Sequence, residues 1–150
     1  MFSKFHSLLA TIGGYLRSPL LLVIRLYWGW QFFLAGKGKL QHLDKAAAYF
    51  SDLGIVMPKL SAILASSVEC ACGLLLLAGM FTRFASLALI GVMCVAFATA
   101  EKAALHAIFT DPDKFLGATP FPFLFAAVIA FAFGPGKLSL DALTGEEKKD

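Results

Sequence analysis

The chain has 150 residues, of which 59% are hydrophobic and only 15% charged, with a net charge of +3. An ordinary soluble domain carries about a quarter charged residues, and a soluble fold this small could not hide so much apolar surface. The lysines and arginines are scattered rather than gathered into a stripe, which argues against a nucleic-acid partner. Three cysteines inside apolar stretches argue against a secreted disulfide framework.

In residues 1–18, Phe5, Leu8, Leu9 and Ile12 recur at roughly helical spacing beside Lys4, His6 and Arg17. This stretch reads as a tail or as an amphipathic helix lying at the membrane interface. Arg17 and Arg25 interrupt the apolar run and no cleavage site follows, so the first span is expected to be a retained anchor rather than a signal peptide.

Four apolar stretches follow. The first runs from Pro19, a residue tolerated at a helix start, to Gly36. Gly29 and Gly36 share one of its faces, with Phe32 between them and Lys39 just beyond, and small residues on one face let helices approach closely. Residues 37–59 carry too many charges to span. Within them Ala46 to Leu53 fits a short surface helix ended by Gly54. The second span covers about 59–80 and ends in Gly79-Met80-Phe81-Thr82-Arg83, a turn short enough to force a hairpin with the third. That third span runs from Phe84 to about Ala100 and is expected to continue through Glu101 and His106 until Asp111-Pro112-Asp113 breaks it. The last runs from about Phe115 to Gly134, with an irregular start at Pro120 and Pro122, and Gly134-Pro135-Gly136 ends it. A polar tail, loose at its end, closes the chain.

Each span approaches the ~20 residues needed to cross a ~30 Å hydrocarbon core. The expected fold is all-α, a transmembrane antiparallel four-helix bundle. The expected divisions are 1–18, a membrane domain over 19–142, and a polar tail over 143–150. An even number of spans puts both termini on one side of the cell membrane, taken as cytoplasmic. Lysine and arginine are balanced between the two sides, so charge does not fix the orientation.

Ionisable groups inside a span are costly and should face protein or water. Arg25 and Glu69 are the two that stand out. At ~1.5 Å per residue, Arg25 lies ~10 Å and Glu69 ~20 Å above the plane of the termini. A direct ion pair must bridge that difference. Gln31, at the depth of Glu69 but on another face from Arg25, is a second candidate partner. A third option is a neutral Glu69, since leaving water disfavours the charged form. Cys72 and Cys94 fall at similar heights and are placed to meet, although a buried cysteine is more often an inert hydrophobe. A polar mouth is expected from Lys39, His42, Glu101 and His106. Cys70-x-Cys72 lacks the partners of a zinc site, and the histidines belong to no spaced ligand set, so no metal is expected.

Taken in order, these residues resemble the DoxX family of small four-span membrane proteins. The pattern is Arg25-x-x-x-Gly29-x-x-Phe32 with Gly36 and Lys39, then Gly54-Ile55 before Pro58. Glu69-x-x-x-Gly73, Gly79-Met80-Phe81-Thr82-Arg83 and Met93 follow, and the chain closes on Gly134-Pro135-Gly136-Lys137-Leu138-Ser139-Leu140-Asp141. The resemblance spans roughly residues 20–142. It implies a four-helix membrane bundle linked to quinone-coupled oxidoreductase complexes, including thiosulfate oxidation, or to redox-stress systems. Residues 115–120 lack the acidic residue that many relatives carry there.

The resulting expectation is a membrane subunit of a quinone-linked oxidoreductase or redox-stress system, rather than a self-contained enzyme. A quinone would need an apolar slot, aromatic walls and one or two polar groups. Tyr27, Trp28, Phe32, Phe33, Glu69 and Met93 are the candidates to supply them, with the bilayer, a soluble oxidoreductase and a second copy of the chain as candidate partners. Two alternatives compete: a non-catalytic anchor that recruits a soluble redox enzyme, and a small-solute or proton transporter with Arg25 and Glu69 on its path.

Overall fold

The computed structural model describes residues 2–145, with side chains from Phe5 onward. The last five residues of the expected polar tail lie outside the described residues. Those described form helices and connecting turns, with no strand among them: α1 Phe2–Gln41, α2 Leu43–Asp52, α3 Pro58–Ala78, α4 Thr82–Thr99, α5 Lys102–His106, α6 Pro112–Leu116, α7 Pro120–Phe133 and α8 Leu140–Thr144. Three are long and apolar enough to cross a membrane, over Phe5–Gln41, Pro58–Ala78 and Thr82–Thr99. α7 is apolar but has only 14 residues, about 21 Å of helix against a core of about 30 Å.

α1 packs on α3, α3 on α4, α4 on α7, and α7 back on α1, while α2 lies against α3. The core between them holds Phe32, Cys72, Leu76, Ala85, Leu89, Met93, Ala127 and Ala130. The outward faces are also apolar: Val23 is 62% exposed and Phe84 70%. In water such a surface would be a liability. Against acyl chains it is the required one, and this is a membrane protein with several apolar helices.

Three boundaries differ from the sequence expectation. α1 runs through Pro19 instead of starting there. Proline lacks the N–H that would bond one turn back. Beside it, Arg17 Nη2 donates to the Phe133 carbonyl at 2.9 Å and Ser18 Oγ accepts from the Lys137 N–H at 3.4 Å, which ties this part of α1 to the end of α7. The third stretch does not continue to His106 as one helix. Glu101, at φ −113° and ψ 32°, breaks it into α4 and α5. The fourth stretch is split between α6 and α7, because neither Pro120 nor Pro122 can donate within a helix and both are therefore confined to its first turn.

The segment after α7 is a packed element up to Asp141. Gly134, Pro135, Gly136, Ser139 and Asp141 are all buried. Arg25 donates to the carbonyls of Pro135 and Leu138, the latter at 2.7 Å. Asp141 accepts from the N–H groups of Phe81 at 2.7 Å and Thr82 at 3.0 Å, capping the start of α4, and its own N–H donates to the Gly79 carbonyl at 2.9 Å. One short segment thus fastens α1, the α3–α4 turn and α7 together. Gly79 has φ +69°, and a β-carbon there would collide with the Arg25 guanidinium, so glycine is required on both counts.

Candidate functional site

Arg25, Gly29, Phe32, Gly36 and Lys39 recur every three or four residues along α1 and form the face turned to α3. A β-carbon on Gly29 would lie 2.8 Å from the Leu77 nitrogen, and one on Gly73 would lie 2.7 Å from the Phe33 nitrogen. The two backbones therefore meet almost directly. That approach presses Glu69 against α1, beside Gly36, where it is 1% exposed. One turn further along α1, Lys39 reaches back, and its Nζ donates to both Glu69 oxygens at 2.7 and 2.8 Å. The Lys39 side chain is 38% exposed. The ammonium therefore joins a buried carboxylate to the molecular surface. A carboxylate mid-span costs about 2.5–3.5 kcal/mol on insertion scales, and this paired, bidentate geometry offsets that cost.

The pair borders a cavity of about 810 Å³. Its origin is the shape of the α3–α4 hairpin. The turn is held tight by Gly79 and Phe81, at φ +69° and +48°, and the residues nearest it, Leu76 and Ala85, are fully buried. Away from the turn, small residues stand among the larger ones that line the space: Ser61 and Ala65 on α3, and Ala88, Gly91 and Ala96 on α4. They leave space that the helices do not close. α2 covers one side with Tyr49, Phe50 and Leu53. Where the cavity meets the core stand Phe32, Met93 and Phe123, with the two rings 4.9 Å apart and edge to face.

Several expected site residues meet here and others do not. Phe32, Glu69 and Met93 line the cavity, together with Lys39 and Glu101 of the expected mouth. Tyr27 points outward and is 57% exposed. Trp28 packs edge-on to Phe123, outside the lining. Phe33 stacks at 5.4 Å on Trp30 and lies beneath Lys37. His42 and His106 are exposed and away from the lining.

The candidate ion pair between Arg25 and Glu69 is not formed. Each has another partner: backbone carbonyls for Arg25 and Lys39 for Glu69. Gln31, half-buried on α1, does not hold Glu69 either, since both carboxylate oxygens face Lys39. The cysteines do not meet. Cys72 sits in the core, Cys94 faces outward, and Cys70 lies 3.6 Å from the Phe33 carbonyl; all three are free.

Two features of the site escaped the sequence reading. One is the α2 cover, whose signal was present: Ala46, Tyr49, Phe50 and Leu53 share a helical face. The other is Gly91, which in sequence looks like any glycine in a span.

A comparison with protein-family models matches residues 20–102 to DoxX. The match takes in the second half of α1, all of α2, α3 and α4, and the Lys39–Glu69 pair. No curated protein and no solved structure matches the chain.

Proposed function

The chain belongs to the DoxX family, and from that premise we propose that it is a multi-pass membrane subunit binding a lipid-soluble quinone in the cavity beside Lys39 and Glu69. It serves an oxidoreductase or redox-stress system that supplies the electrons. In this reading α1, α3, α4 and α7 cross the bilayer as an antiparallel bundle over residues 19–142, with both termini on one side.

The observation that carries the proposal is a doubly hydrogen-bonded ion pair in the wall of a mostly apolar cavity. The volume falls within the range of small-molecule sites, which combine apolar walls with a few fixed polar groups. The aromatic edge formed by Phe32 and Phe123 suits a flat ring. A quinone oxygen accepts hydrogen bonds, which the Lys39 ammonium donates, and a quinol hydroxyl donates them, which the Glu69 carboxylate accepts. Reduction of quinone to quinol takes two electrons and two protons. The half-exposed lysine gives protons a route between water and the buried carboxylate.

The test is direct binding of decylubiquinone to the protein in lipid nanodiscs. Wild type is expected to bind saturably. Glu69→Gln and Lys39→Met are each expected to weaken binding at least tenfold with the helical content retained. Absence of saturable binding by wild type would refute the proposal.

A further inference from the structure

We infer that the cavity is filled sideways, from within the bilayer, through a gap between α3 and α4 that exists because residue 91 is glycine. The identity of the cargo rests on the quinone reading; the path does not.

Gly91 both lines the cavity and is exposed at the surface. A β-carbon there would meet nothing within 4 Å. In this it differs from Gly29, Gly36 and Gly73, where a β-carbon would strike the backbone of the facing helix. Glycine inside a helix is destabilising relative to alanine, through backbone entropy. At those three positions close helix approach compensates. At Gly91 no such approach exists, and what the missing side chain leaves is an opening.

Leu64 on α3 and Val95 on α4 flank that opening. Both line the cavity, and they are 58% and 56% exposed. Gly91 lies nine residues into α4, or about 14 Å along a helix crossing a core of about 30 Å. The gap therefore opens near the bilayer midplane, onto acyl chains rather than water. At the other side the cavity lies under Tyr49, Phe50 and Leu53 of α2. A molecule already dissolved in the membrane can reach the Lys39–Glu69 pair through the gap without crossing water.

Two measurements in lipid nanodiscs test the path. The first, in a Trp30→Phe background, follows decylubiquinone association by quenching of Trp28, which packs 5.1 Å from the cavity-lining Phe123. Gly91→Phe is expected to slow association at least tenfold. Val95→Trp, which narrows the same gap, is a second variant should the first fold poorly. Gly38→Phe is the control, because its β-carbon also meets nothing but Gly38 does not line the cavity; its rate should stay within twofold of wild type.

The second measurement uses a fatty acid carrying a diazirine on its chain, with no quinone present. In wild type, carbene adducts are expected on Met93, which is 6% exposed. Gly91→Phe should abolish them while leaving adducts on outward-facing residues. Adducts on Met93 without quinone binding would sink the quinone reading and leave the path standing. Unlabelled Met93 in wild type, or association and labelling both unchanged by Gly91→Phe and Val95→Trp, would overturn the path.

Discussion

The two ends of the α1 face that packs on α3 bury charge in opposite ways. At one end the Arg25 guanidinium, 1% exposed, is spent on the backbone carbonyls of Pro135 and Leu138. The space around it is filled by the α3–α4 turn and the segment leading to α8. Some 21 Å along the helix, Lys39 is half in the open, and its carboxylate partner stands in the wall of a cavity. Closure at the Arg25 end fits a joint. Polar groups that are satisfied, yet bordered by empty space, fit a site that exchanges a ligand. Burial alone does not separate the two, since Glu69 is as buried as Arg25; the space beside each group does.

The comparison breaks if the Arg25 end is dispensable. Arg25→Met strands the carbonyls of Pro135 and Leu138. Hydrogen bonds to charged groups are worth about 1.5–3 kcal/mol each, so the expected loss for the two is about 3–6 kcal/mol. It would appear as a fall in thermal midpoint in detergent or as a failure to accumulate folded protein. Arg25→Lys is expected to recover only part, because one ammonium cannot reproduce the planar fork that reaches both carbonyls.

The cavity end predicts a different pattern. Lys39→Met leaves the Glu69 carboxylate buried without its partner, at an expected cost of about 1–2 kcal/mol, discounted from the fully buried case because Lys39 is partly solvated. Adding Glu69→Gln should restore most of that stability, measured by the same melts, without restoring quinone binding. A double variant that regained both would show the pair to be structural, and the contrast between the two ends would be lost.

Much of the fold was legible in the residues. Apolar runs separated by Gly79-to-Arg83 and by Asp111-Pro112-Asp113 mark the helices, and the Gly29–Phe32–Gly36 face marks the packing against α3. The site was legible in part. Ionisable residues in spans announce themselves, so Arg25 and Glu69 were singled out; Lys39 was placed in the polar mouth, and its pairing with Glu69 was not foreseen. Pairing depends on where α1 and α3 sit in register, and Gly29 and Gly73 set that through backbone contact across distant parts of the chain. The segment at Gly134–Asp141 was placed within the membrane domain, but its part as a joint was not legible, because its hydrogen bonds go to residues 59 to 119 positions away. Local pattern carries no trace of such partners. Gly91 was invisible for a related reason: a glycine that seats a helix and a glycine that leaves a gap read alike until the facing helix is in place.

The smallest effect sharpens the comparison most. Thr82 and Ser86 lie one turn apart on α4, beside the Asp141 cap, and both hydroxyls are buried with no hydrogen-bond partner among the described residues. An unpaired buried hydroxyl is unfavourable, and a reader looking for a ligand could assign one to this place. Neither residue lines the cavity beside Lys39 and Glu69. If the joint is only a joint, Ser86→Ala removes a desolvated hydroxyl and should be neutral or stabilising by up to about 1 kcal/mol in thermal melts, with quinone binding unchanged. A loss of more than about 1 kcal/mol, or weakened binding, would mean that the hydroxyl has a partner in the membrane-embedded protein. The closed end would then have to be regarded as a second site.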